Sequence, residues 1–461
     1  MTMHAMENFE DFYQWLDGFI NFEKRPHTKA FCLDVIKYYA TLLSEPQTAY
    51  KNVHIAGSKG KGSVAAMFSA VLTETGFQTG LYTSPHVNDF RERITENGRF
   101  FSDNGYFEAF RTVQETIDLE IAQSKAPLPS WFELVTLTAF VLFRQQRLDW
   151  AVFETGMGGR LDATNIVQPE ITMLTPIELE HCEYLGSSIS LIAAEKAGII
   201  KRNVPVFCSR QPEKALTVFR KHAKTCGAPF FYIPELIEKI KHRLTGSGLE
   251  VSIDFSAGHP IGALFSRPIR TELRMPATVQ SENAALAAAA FKYCYPDTPE
   301  ELIERGLSKA WLPARFQILN GDPLIALDGA HTFNSIQTCA ETFFSLTDKK
   351  AALVFACAKD KSPEAFAPVF LGKVSHLYLT IPGAFKQGNL DKTVCAFTRV
   401  FKNEDSVLIE SSEDFNTVLK KAFETSFAEN RPLLITGSFY LAGEAQRIYS
   451  DEDFRDREMR G

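Results

Sequence analysis

A chain of 461 residues exceeds what one hydrophobic core organises, so its length predicts two or three domains. Hydrophobic residues make up 45% and charged residues 23%, the balance of an ordinary globular protein. A formal charge of −7 excludes a general nucleic-acid binder, which needs basic surface to displace counterions, but leaves room for a local cationic pocket.

The first seventeen residues are acidic and aromatic, without the basic start and apolar stretch of a secretory leader. The longest apolar stretch, at 134–143, is broken by Thr136 and Thr138 and ends at Arg144, so no membrane span is expected. The eight cysteines are scattered without a CxxC pair, which predicts reduced, mostly buried thiols and a cytoplasmic setting.

In chain order, 53–56 reads as a short buried strand and 63–75 as a helix ended by Gly76. Strands follow at 79–82, 150–154 and 171–174, each leading into a polar turn. Alternation across 244–255 predicts an antiparallel hairpin appended to that sheet, and 283–293 an alanine-rich helix. Prolines 296, 299 and 313 mark a boundary, after which strands are expected at 324–327, 352–356, 376–379 and 432–435. The fold class is therefore α/β. An N-terminal P-loop-type, mainly parallel sheet domain with an appended hairpin (1–300) precedes a C-terminal Rossmann-like α/β domain (301–461). Ligands of such sheets bind outside the carboxyl ends of the strands.

The segment Gly57-Ser58-Lys59-Gly60-Lys61-Gly62-Ser63 lies between the first strand and its helix. Glycines let backbone N–H groups turn toward an anion, the helix N-terminus adds positive potential, and a lysine reaches outer phosphates. Ile55 stands where a strict Walker A pattern needs glycine, so this is a shorter relative of that loop. In Glu154-Thr155-Gly156-Met157-Gly158-Gly159-Arg160-Leu161-Asp162, a carboxylate ends a strand and glycines follow. Such a carboxylate suits a hard cation beside nucleotide phosphates.

Together with Thr83-Ser84-Pro85-His86, Arg91-Glu92-Arg93-Ile94, Glu195-Lys196-Ala197-Gly198-Ile199 and Asp328-Gly329-Ala330-His331, these stretches resemble the folylpolyglutamate synthase / dihydrofolate synthase family of the Mur ligase superfamily. The resemblance runs from about residue 50 to residue 445. It departs from the family pattern at Ser58 and Lys59 (of GTNGKGS), Glu180 (usually Asp), Val279, Ala314 and Thr332.

The resemblance implies a magnesium site on Ser84, Glu154 and His181, and a second magnesium held through a carbamylated Lys196. It implies ATP contacts from the 57–63 loop, Asn283, Arg315, Asp328 and His331, with Lys61, Lys196 and Arg315 as catalytic groups. Asn283 could equally cap its helix. Ser130, Trp131, Phe132, Glu133 and Leu161 fall at the pterin side, where Trp131 and Phe132 could equally be core residues. The implied reaction activates a folate-type carboxylate as an acyl phosphate and joins it to L-glutamate. Tetrahydrofolate polyglutamylation and dihydropteroate glutamylation are both open. The partners implied are small molecules only, and the enzyme is expected to be a monomer. Two other readings are a Mur-type or cyanophycin-like ligase acting on another carboxylate, and a P-loop nucleotide switch. The 56 residues ahead of Gly57 are too few for the uridine-nucleotide domain of most Mur enzymes.

Overall fold

The computed structural model describes residues 8–21, 32–96, 98–123, 126–383, 387–404 and 406–451. Seven strands form the first sheet: β1 (Lys51–Ala56), β2 (Thr79–Tyr82), β3 (Ile94–Glu96), β4 (Trp150–Glu154), β5 (Ile171–Leu174), β6 (Val206–Cys208) and β7 (Phe230–Tyr232). Their order is β3-β2-β4-β1-β5-β6-β7, parallel except for the β2–β3 edge pair. Because β1 lies between β4 and β5, its carboxyl end opens at the middle of the sheet, flanked by two other strand ends.

Alternation along β4 divides the core. Val152 packs with helix Lys61–Glu74 on one face, and Phe153 enters the opposite core. There Phe153 meets Tyr82, Phe140 and Phe143 at ring separations of 5.9, 5.2 and 5.8 Å. Burying that ring contributes about 2–3 kcal/mol. Glu154, paired with Ile55, is the last residue of β4, which puts its side chain at the carboxyl end of the sheet, at its mouth.

The hairpin expected at 244–255 is longer and has a third strand. β8 (Ile237–Leu244), β9 (Leu249–Phe255) and β10 (Ile269–Leu273) make an antiparallel sheet of their own, in the order β10-β9-β8. It is not appended to the seven-stranded sheet. Helix Gln280–Cys294 lies between the two sheets. Its run Ala284–Ala290 is buried on every side, which small side chains permit at close approach.

The second mainly parallel sheet contains β11 (Gln317–Gly321), β12 (Leu324–Leu327), β13 (Ala351–Phe355), β14 (Val374–Leu379), β15 (Leu408–Ser411) and β16 (Leu433–Thr436). The order is β11-β12-β16-β13-β14-β15, with only the β11–β12 pair antiparallel. All eight cysteines are free thiols. Cys32, Cys182 and Cys395 are exposed, so the thiols are less buried than their scatter predicts. Among the described residues no helix is long and apolar enough to cross a membrane.

Candidate active site

Helix Lys61–Glu74 starts two residues earlier than hydrophobic periodicity predicts. Gly60 caps it at a left-handed φ of 83°, and a β-carbon there would stand 2.9 Å from the Asn283 side chain. The loop before it is pinned from below. The Ser58 and Lys59 N–H groups donate to the Pro176 carbonyl at 2.9 and 3.2 Å, and Lys196 Nζ donates to the Gly57 carbonyl at 2.7 Å. Gln280 Nε2 donates to Ser63 Oγ at 3.2 Å, and Asn283 Nδ2 donates to Gln280 Oε1 at 2.9 Å. Asn283 therefore lies inside the helix that begins at Gln280, and the reading of it as a helix cap is incorrect. Gln280 was missed in the sequence. Its signal is the Gln–Asn spacing of three, which puts both on one helical face.

Glu154 is 3% exposed. Lys61 Nζ lies 3.9 Å from one of its oxygens, and the Ser84 N–H donates to the other at 3.1 Å. Burial raises the Glu154 carboxyl pKa even though Lys61, the Ser84 N–H, Arg315 and Arg93 pull it down. Magnesium takes few protein ligands and shares phosphate oxygens, so a lone buried carboxylate next to a serine and the phosphate loop fits it. Among the described residues no group of three or more His, Cys, Asp and Glu is assembled for a metal. His181 lines the same cleft at a left-handed φ of 47°, and desolvation lowers its pKa, which leaves a neutral imidazole.

Lys196, at 1% exposure, also pairs with Glu180 at 3.1 Å. Burial and then repulsion from Lys61 bring its pKa down to about 8. Burial alone would raise Glu180, yet Lys61, Lys196 and Lys59 together hold it at about 2. The longer Glu180 arm thus serves Lys196 directly.

In the second lobe the Arg315 guanidinium stands over the Phe439 ring at 4.4 Å, between left-handed Ala314 (φ 53°) and Phe316 (φ 48°). Asp328 fixes that turn, accepting from the Phe316 N–H at 2.6 Å and the Ala330 N–H at 2.7 Å. Its carboxylate is thus engaged in shaping the arginine turn, and burial raises its pKa to about 6. His331 Nδ1 bonds the Gly329 carbonyl at 2.8 Å, which turns Nε2 outward as an acceptor, and burial lowers the ring pKa to about 3.

Ser130 caps helix Trp131–Gln145 in a reciprocal pair with Glu133, whose carboxylate accepts from the Ser130 N–H at 2.7 Å. Trp131 is 7% exposed and faces the Arg93 guanidinium at 4.8 Å, so it belongs to the core. Phe132, Ser130, Glu133 and Leu161 line the cleft. That cleft, of about 2900 Å³, is continuous from the 57–63 loop through Ser84, Glu154 and His181 to Arg315, Asp328 and His331. Glu178 went unnoticed in the sequence. Its carbonyl accepts from Ser58 Oγ at 3.2 Å, and its carboxylate accepts from Asn334 Nδ2 of the second lobe at 3.1 Å.

Residues 314–439 match the family model for the Mur ligase, glutamate ligase domain. The chain is 29% identical over 446 residues to a Bacillus subtilis dihydrofolate synthase/folylpolyglutamate synthase, covering 95% of this chain and 98% of that one. A Mycobacterium tuberculosis folylpolyglutamate synthase complexed with ADP superposes with a TM-score of 0.83 at 26% identity, over 96% of this chain and 99% of the other. Two lobes facing each other across a phosphate loop, the second carrying that domain, define an ATP-dependent amino-acid ligase of the Mur superfamily. An FPGS–AMPPCP–folate complex superposes with a TM-score of 0.76 at 26% identity, over 96% of this chain and 99% of the other. The chain belongs to the folylpolyglutamate synthase/dihydrofolate synthase family.

Proposed function

We propose that this ligase joins L-glutamate to a folate-type carboxylate through an acyl phosphate. The supporting observation is one cleft lined by the phosphate loop, the Glu154 carboxylate, the aromatic Phe132 and the second-lobe Arg315. A carboxylate is a poor electrophile. Its oxygen attacks the γ-phosphorus of ATP and ADP leaves; the glutamate amine then attacks the acyl carbon, loses a proton and expels phosphate. Lys61 and Arg315 offset the charge that builds on the transferring phosphoryl group. Neutral His331 presents an acceptor, Phe132 offers an apolar face to a flat ring, and closure of the lobes excludes water from the acyl phosphate. A magnesium ion on Glu154, Ser84 and His181 supplies charge neutralisation at the phosphate oxygens when bound.

Lys196 is proposed to carry a carbamate with a second magnesium. Carbon dioxide adds only to a neutral amine, and the burial that brings the Lys196 pKa down to about 8 raises its neutral share at pH 7 above that of a free lysine. The carbamate would stand beside the Glu180 carboxylate, so it needs a cation between the two anions. The proposed division of the chain is an N-terminal and a C-terminal lobe, with the boundary after helix Glu300–Lys309 and not at the expected 300/301, because Ile303 and Leu307 of that helix pack in the first lobe's core. The remainder of the reading is a cytoplasmic monomer acting on small molecules.

The test is glutamate-dependent ADP release with dihydropteroate and a reduced monoglutamate folate as acceptors. Release is expected to require both acceptor and glutamate, and to fall in carbon-dioxide-stripped buffer and recover on adding bicarbonate. Release indifferent to acceptor and glutamate would remove the ligase reading; indifference to bicarbonate would remove the carbamate alone.

A further inference from the structure

The excursion between β2 and β3 joins three parts of the molecule. Its ends are closed by the Thr83 N–H donating to the Arg93 carbonyl at 3.0 Å. Within it the Glu92 carboxylate accepts three successive backbone N–H groups, from Val87 at 2.6 Å, Asn88 at 3.1 Å and Asp89 at 3.0 Å. One side chain therefore fixes the crest of the loop. The loop begins at Ser84, whose N–H reaches Glu154, and ends at Arg93, whose Nε donates to His86 Nδ1 at 2.7 Å. It touches the reacting region on one side and the Trp131 core on the other.

The crest itself belongs to the other lobe. Val87 packs against the core built from β12, β16 and helix Phe439–Asp451. The contact is backbone to backbone: a β-carbon on the buried Gly443 of that helix would lie 2.4 Å from the Val87 carbonyl oxygen and 2.9 Å from Asn88 Oδ1. Helix propensity disfavours glycine at such a position by about 1 kcal/mol relative to alanine. Its presence matches the approach of the loop, since nothing larger fits.

We propose that Gly443 is a positioning residue: its bare backbone seats the Val87–Asn88 crest and so couples the packing of the second lobe to the placement of Ser84 at Glu154. The consequence for the reaction rests on the ligase reading above; the seating does not. Arg315 and Phe439 lie on the same lobe, so one contact registers the lobe that brings the arginine against the loop that brings Ser84.

The test is Gly443→Ala in the full chain. Alanine favours the helix, so melting is expected to stay within a few degrees, whereas the crest must lift. Amide exchange at Ser84, Val87, Asn88 and Asp89 is expected to speed up while the amides of helix Phe439–Asp451 stay protected. Turnover should fall by roughly tenfold to a hundredfold in kcat, the scale of a misplaced reacting group, with the KM for ATP held by the 57–63 loop and little changed. Val87→Ala, which removes the apolar plug without a clash, should give a weaker change of the same kind. Unchanged exchange at the crest would overturn the seating. Faster exchange with normal kcat, or a loss confined to the KM for ATP, would overturn its role in the reaction. A wild-type chain without glutamate-dependent ADP release would sink the ligase reading and leave the exchange result to judge the seating alone.

Discussion

Replacing Glu154 by glutamine is expected to lower glutamate-dependent ADP release by roughly three orders of magnitude, with the fold intact. Glutamine keeps the volume at the end of β4 and can still accept the Ser84 N–H. What disappears is the anion facing Lys61, the group best placed to hold a divalent cation against the phosphates. Burial raises the folded pKa of this carboxyl, so its contribution to stability is present in full below the unfolded value and is lost as pH rises through the folded one. At neutral pH the ionised group therefore costs stability, and a charge kept at such a cost points to chemistry. Calorimetry should find the glutamine variant melting within a few degrees of the wild type. Retained turnover would remove Glu154 from the mechanism, and a collapsed melting temperature would make its role structural.

Arg315→Lys is expected to reduce kcat about a hundredfold. Lysine keeps the positive charge but loses the planar fork that matches phosphate oxygens and the stacking over Phe439. The turn that carries position 315 is set independently by Asp328, through the Phe316 and Ala330 N–H groups, so the substitution leaves the backbone in place. The loss should therefore appear with little change in melting. Steady-state kinetics at saturating ATP is the check. A lysine variant at full rate would show that charge alone suffices and that the fork is dispensable.

The strands that position the site are readable because each is a short, mostly apolar run closed by glycine or a polar turn: β1 before Gly57, β4 before Gly156, β12 before Gly329. β6 and β7, of three residues each, are too short to carry a period and were not expected. The helix start at Lys61 was placed late because Gly62 is a poor helix former, while the left-handed Gly60 determines where the turn begins. The phosphate loop and Glu154 stand out by residue type and context, whereas Arg315 is legible only through the family resemblance. Glu178, Glu92 and Gly443 do not stand out, because their partners are backbone groups or side chains far along the chain: Glu178 meets Asn334, and Gly443 meets Val87. Trp131 and Phe132 are adjacent in sequence yet divide between core and cleft, since consecutive helical residues point about 100° apart.

The step that defines the proposed chemistry is transfer of an acceptor oxygen to the phosphate of ATP. An acceptor whose reacting carboxylate carries a heavy-oxygen label should, on turnover with ATP and glutamate, deliver one labelled oxygen to each phosphate released. Phosphate drawing its new oxygen from solvent instead would mean that no acyl phosphate forms, and the cleft would then be a nucleotide hydrolase or switch.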